Sequence, residues 1–114
     1  MNSKRKGSAG ERELAEILRS HGYDSHRNNQ RYVSGLENPD ITLPGVHVEV
    51  KRSEALRLYD ALTQAVHDAN GKALPAVMHR KNHSPWVVIM RLDDWMLIFK
   101  EWELLRNAKI VLRG

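Results

Sequence analysis

Asp40, Glu49 and Lys51 lie within one stretch, NPDITLPGVHVEVKR, which runs from Asn38 to Arg52. A hard divalent cation such as Mg2+ takes oxygen ligands, typically one or two carboxylates with water and substrate phosphate. An acid at the head of one strand and another in its hairpin partner can converge on one such ion. Alternation along the second strand puts Val46, Val48 and Val50 on one face and His47, Glu49 and Lys51 on the other. Lys51 therefore stands beside Glu49, where an ammonium can orient or help deprotonate an attacking water and offset charge on a phosphorane-like transition state. A half-exposed structural strand would show the same alternation of polar residues with valines, so the spacing alone leaves both readings open.

The elements around this stretch follow from periodicity and punctuation. Ser8-Ala9-Gly10-Glu11 has the form of a capping box and opens a helix carrying Leu14, Ile17, Leu18 and His21, with Gly22 as its stop. Tyr23 to Arg27 reads as a short strand and Asn28 to Glu37 as a polar loop. Asp40–Leu43 and Val46–Lys51 read as strands joined by the Pro44-Gly45 turn. A second helix is expected over 54–69, with Ala55, Leu58, Leu62, Ala65, Val66 and Ala69 as its apolar stripe. Strands over 74–80 and 86–91 follow, separated by the polar turn Lys81-Asn82-His83-Ser84-Pro85. Asp93 or Asp94 then caps a last helix with Trp95, Ile98, Trp102 and Leu105 on one face. The order α-β-β-β-α-β-β-α describes an α/β protein, a mixed sheet flanked by helices.

Bulk properties set the bounds. A chain of 114 residues with 41% hydrophobic residues suits one domain with a modest core, preceded by a flexible basic tail over residues 1–7. No apolar run is long enough for a membrane span, and the basic N-terminus lacks the apolar segment of a secretory signal. The absence of cysteine removes disulfides, thiolate zinc sites and cysteine nucleophiles. An intracellular setting, bacterial, archaeal or phage-encoded, fits. The net charge is +4 and the pI about 9.6, and the charge is uneven. Lys4, Arg5 and Lys6 cluster at the start, and from Ala69 to Leu92 there are basic residues, including Arg80 and Lys81, but no acid. A polyanion is the partner this asymmetry favours, although a basic surface also serves solubility.

With these residues in place, Pro39-Asp40 followed by Glu49-Val50-Lys51 resembles the PD-(D/E)xK nuclease signature. KGSAGERELAEILRSHGYDSHR is similar to the opening of archaeal Holliday junction resolvases of the Hjc type. PAVMHRKNHSPWVVIMRLDDW resembles their later strands, and NPDITLPGVHVEVK resembles the junction-resolving endonuclease I of lytic phages. The resemblance spans about residues 6 to 99 and implies a restriction-endonuclease-like fold. It also implies an Mg2+-dependent endodeoxyribonuclease, with Mn2+ able to substitute, acting on branched or double-stranded DNA. Asp40 and Glu49 would be the principal metal ligands, with Glu11 as a third acid, the Val50 carbonyl as a further ligand and Lys51 as the catalytic lysine. Glu11 has a rival role as the third helical residue of the capping box. Arg12 and Arg27 match family arginines near the scissile phosphate, and Ser34 resembles a serine ahead of the aspartate in some resolvases. Lys4, Arg5, Lys6, Arg31, Arg52, Arg80 and Lys81 complete the expected DNA contacts, together with Gln64 as a polar support from the second helix. The segment between Arg27 and Asp40 is longer than in the archaeal members, which leaves Ser34 insecure in register.

A junction presents two scissile strands related by approximate two-fold symmetry, so a homodimer with one site per subunit is implied, with the last helix or a nearby sheet edge as its surface. Trp95 and Trp102 on one face of that helix suit core or dimer packing better than base stacking. His79 and His83, four apart but across a hairpin tip, suit a DNA-facing loop better than a zinc site. Three alternatives stay open: a nuclease for other DNA substrates, such as nicking, restriction or repair; a DNA-binding protein that keeps the fold without the chemistry; and an accessory subunit that binds DNA for a partner enzyme.

Overall fold

A computed structural model of the chain describes residues 3–28, 32–33 and 36–113. Along the chain lie α1 (Ser3–Ser20), β1 (Tyr32–Val33), β2 (Leu36–Glu37), β3 (Val46–Arg52), α2 (Leu58–Ala69), β4 (Leu74–Arg80), β5 (Val87–Ile89) and α3 (Leu92–Arg113). The main sheet has the order β3-β4-β5. β3 runs parallel to β4 through the α2 crossover, and β5 returns antiparallel to β4. The mixed three-stranded sheet with helices on both faces is the architecture read from the sequence.

Both faces of β3 are covered. Leu14 and Ala15 of α1 pack on Val48, Val50, Met78 and Ile41, with Trp86 against the rim. On the opposite face Ala61 and Ala65 of α2 lie against Val77. Alanines at that contact bring the helix backbone close to the sheet. The parallel register Glu49↔Val77 sets Glu49 on the α2 side. Cover on both faces, with the Ile41 bridge along its outer edge, explains why His47, Val48, Glu49 and Val50 of this parallel strand are all inaccessible. Of the two readings the alternation left open, the half-exposed structural strand does not describe β3. At the end of β3, Gly10 is pressed against Arg52. A Cβ there would lie 2.7 Å from that of Arg52, so only glycine permits this approach of α1 to the sheet.

Several element boundaries differ from those expected. α1 begins at Ser3, so Lys4–Lys6 are helical backbone rather than a tail, and Ser8 is interior rather than an N-cap. The capping-box reading of Ser8 and Glu11 therefore fails. The other end closes as expected: Tyr23 N–H donates to Leu18 O and Gly22 N–H to Arg19 O, with Gly22 at φ +96°. The strand expected over 23–27 and that over 40–43 reduce to isolated bridges, Arg27↔Ile41 and Ile41↔Val48. Pro39 and Pro44, which lack an N–H to donate, bracket the second segment and confine its pairing. The 28–37 loop instead contains a two-residue pair, Tyr32–Val33 with Leu36–Glu37. α2 starts at Leu58 rather than residue 54, because the Glu54 carboxylate accepts Asn82 N–H at 2.7 Å. α3 starts at Leu92, which puts Asp93 and Asp94 in its first turn rather than at its cap. Leu92 and Val88 at this end of the sheet are exposed, as are Trp95, Ile98, Trp102 and Leu105.

Candidate active site

Three short segments assemble the site. Residues 26–28 pair with 40–42, Asn28 N–H donating to Asp40 O at 3.0 Å and Thr42 N–H to His26 O at 3.0 Å. Asp40 N–H in turn donates to Val48 O at 2.8 Å. The Asp40 carboxylate then turns onto β3, where its Oδ2 accepts Val50 N–H at 2.8 Å. That bond holds Asp40 against the Glu49–Val50 peptide. Lys51 is half-buried, next along the strand, on the same side as Glu49 by alternation, and makes no ion pair with a described residue.

Glu49 is 2% exposed, and its Oε1 lies 3.5 Å from His47 Nε2, itself in a residue 4% exposed. The Asp68 carboxylate of α2 completes the group, the three donor atoms lying within 4.8 Å of one another. Sequence reasoning put His47 on the face of Glu49 but gave it no role, and it missed Asp68. A signal existed: Asp68 follows Ala61 by seven residues, so it falls on the buried alanine face of α2. Charged residues on such a face need a partner across the interface.

The remaining expected residues distribute themselves as follows. Glu11 pairs with Arg27 at 2.9 Å, and the Ser8 hydroxyl accepts a weaker bond from the same guanidinium at 3.4 Å. The structure thus joins Glu11 and Arg27 to each other. Arg27 is tied by its backbone bridge to the Asp40 segment. Arg12 and Lys81 are exposed, as is Gln64. Lys6 and Arg52 both reach Glu54, at 3.4 and 3.5 Å, and Arg52 also bonds Asn82 at 2.7 Å. Arg80 pairs with Glu13, whose Oε1 also accepts Trp86 Nε1–H at 2.8 Å. Three of the expected DNA contacts are therefore engaged inside an ion-pair network linking α1 to the ends of β3 and β4. Burial works against ionisation of Glu13, but the bonds from Trp86 and Arg80 and the charges of Arg80 and Arg52 outweigh it and lower its pKa below 4.5. Glu54 is lowered likewise, first by Asn82 N–H. The backbone of Lys4 and Arg5 is helical, while Arg31 and Ser34 lie outside the described residues. His79 Nε2 meets Ser53 O at 2.9 Å.

A family model described as "Phage putative PDDEXK endonuclease" matches residues 2–110. The chain belongs to that family. It is an endonuclease of the PD-(D/E)xK superfamily. The solved structure of Archaeoglobus fulgidus Hjc, a Holliday junction resolvase from an archaeal hyperthermophile, is similar at a TM-score of 0.58 and 27% identity. The match covers 74% of this chain and 76% of that one. No curated protein shows significant similarity. Nucleases of this superfamily use divalent metals, and the residues present supply hard oxygen donors for one: the Asp40 carboxylate, tied to the N–H of Val50, and the carboxylate of the adjacent Glu49. No helix among the described residues is long and apolar enough to cross a membrane.

Proposed function

We propose that the chain is a Holliday junction resolvase, hydrolysing phosphodiesters in branched DNA with Mg2+ held by Asp40 and Glu49 and assisted by the Val50 carbonyl and Glu11. The observation that carries the reading is the bond from Val50 N–H to the Asp40 carboxylate, which ties Asp40 to the strand between Glu49 and Lys51. The likeness to Hjc supports the choice of a branched substrate. When bound, the metal supplies Lewis-acid polarisation of the phosphate and a more acidic water. Asp40 is oriented for that task by its backbone donor, and Glu49 by burial. Lys51 holds its ammonium at the nucleophile, where it positions water and offsets the charge that grows on the phosphoryl oxygens. Arg27, fixed by Glu11, presents its guanidinium to the phosphate backbone, and Arg12, Lys81 and Gln64 extend the contact from exposed positions.

A homodimer would supply two such sites to the two scissile strands. The exposed apolar residues of α3, Trp95, Ile98, Trp102 and Leu105, support that helix as the dimer surface. Labelled immobile four-way junction and linear duplex of the same sequence, each with Mg2+ or EDTA, test the reading. Paired symmetric nicks in the junction alone, lost in EDTA, are expected. Equal cutting of both substrates would leave an endonuclease for other DNA and remove the resolvase. Tight binding with no cutting in any divalent metal would leave a DNA-binding protein of the same fold.

A further inference from the structure

The group formed by His47, Glu49 and Asp68 is not explained by the Asp40 site. His47 and Glu49 are more than nine-tenths buried, and Asp68 comes from a different element on the opposite side of their interface. Yet His47 Nε2, Glu49 Oε1 and Asp68 Oδ2 are all buried atoms without a hydrogen-bond partner among the described residues. Buried polar atoms are almost always paired, and three orphans pointing into one space are unusual. Two carboxylates and an imidazole share one enclosed space with these atoms unpaired. That arrangement is costly unless a positive charge sits among them. Among the described residues no Lys or Arg makes an ion pair with any of the three.

We propose that His47, Glu49 and Asp68 form a second divalent-cation site, one that takes a metal accepting imidazole nitrogen, Zn2+ before Mg2+. The donors are one nitrogen and two carboxylate oxygens, a set that suits zinc, whereas magnesium favours oxygen and retained water. The 3.5 Å between His47 Nε2 and Glu49 Oε1 matches the edge of a tetrahedron with metal bonds of about 2.1 Å, roughly 3.4 Å. The Asp68 carboxylate lies within 4.8 Å of both, the third donor of the set. An ion there ties α2 to β3 directly beneath the signature residues. Because Glu49 belongs to both groups, its occupancy also fixes the Glu49 carboxylate that the Asp40 site uses.

Calorimetric titration of the metal-stripped full chain with Zn2+, and separately with Mg2+, tests this on the wild type, Asp68→Asn, His47→Gln and Asp40→Asn, each checked for folding by circular dichroism. The expected result is a Zn2+ binding event present in the wild type and in Asp40→Asn but at least about tenfold weaker in Asp68→Asn and His47→Gln, by the scale on which metal-site changes act. Asp68→Asn keeps the test decisive where the buried His47→Gln does not fold, since it is isosteric and half-buried. Zn2+ binding in Asp68→Asn equal to wild type would overturn the inference. So would loss of all Zn2+ binding in Asp40→Asn, which would put the ion in the Asp40 site. Neither outcome bears on Mg2+-dependent cutting of DNA, and absence of cutting leaves the zinc titration unaffected.

Discussion

At the scale of single residues, the chemistry depends on how Asp40 is held. One of its carboxylate oxygens accepts Val50 N–H, so the side chain is preorganised rather than swinging free at the end of a loop. Asp40→Asn keeps the size and can keep an accepting oxygen, but removes the charge a metal needs. We expect it to lower cleavage about 10²-fold or more while junction affinity in Ca2+ or EDTA changes little, read by single-turnover cleavage beside a gel-shift titration. This part of the site was legible in the sequence. Pro39-Asp40 and Glu49-Val50-Lys51 form a local motif, and strand alternation gives the shared face of Glu49 and Lys51 without any tertiary knowledge. His47 and Asp68 were not legible as partners, because their meeting depends on how α2 lies across the sheet. The ion pair of Glu11 with Arg27 was likewise not legible, because it joins α1 to a segment sixteen residues away.

The elements show why local patterns misled at their ends. Ser8 and Glu11 satisfied a capping box, yet Ser3–Ser20 continues through them, since Lys4–Lys6 and Ala9 are good helix formers and Arg27 takes both polar side chains. Pairing across the chain decided other boundaries: Glu54 leaves α2 for Asn82, and Arg80 leaves the surface for Glu13. The Glu13 cluster binds α1 to the β4–β5 end of the sheet through Arg80 and Trp86. Its carboxyl pKa is lowered on folding, so the stabilisation is fully present above about 4.5 and is lost as pH falls through the folded value. Glu13→Gln should destabilise the protein by about 1 kcal/mol at pH 7, a modest figure because the side chain is 40% exposed. The difference from wild type should shrink below pH 4. Urea denaturation at pH 7, 5 and 3.5 checks both statements. A constant difference across that range would show that the carboxylate charge is not what stabilises.

For the whole molecule, charge and shape point the same way. The +4 chain carries exposed basic residues on α1 and at the β4–β5 turn, and α3 exposes Trp95, Ile98, Trp102 and Leu105 in a body 55 × 34 × 27 Å in extent. Arg12 and Lys81 are exposed and make no ion pair with a described residue, unlike Arg52 and Arg80. Replacing either by Ala should weaken DNA binding similarly across sequences and reduce the slope of log affinity against log salt by about one unit. Arg80→Ala should instead lower stability through Glu13. A salt titration of binding for the three variants separates these outcomes. The fold class was readable from element order alone, since helices and strands alternate in a way that requires a covered mixed sheet. The parallel pairing of β3 with β4 makes both faces of β3 buried, and this the alternation of valines could not announce.

The most direct measurement is single-turnover cleavage of a labelled four-way junction by wild type and Lys51→Ala in Mg2+, with junction affinity measured on the same preparations. Lys51 is half-buried beside Glu49, so its loss should spare folding and binding and slow the chemical step by about 10²–10⁴-fold. Equal cleavage rates at equal affinity would contradict a catalytic site built on Asp40, Glu49 and Lys51.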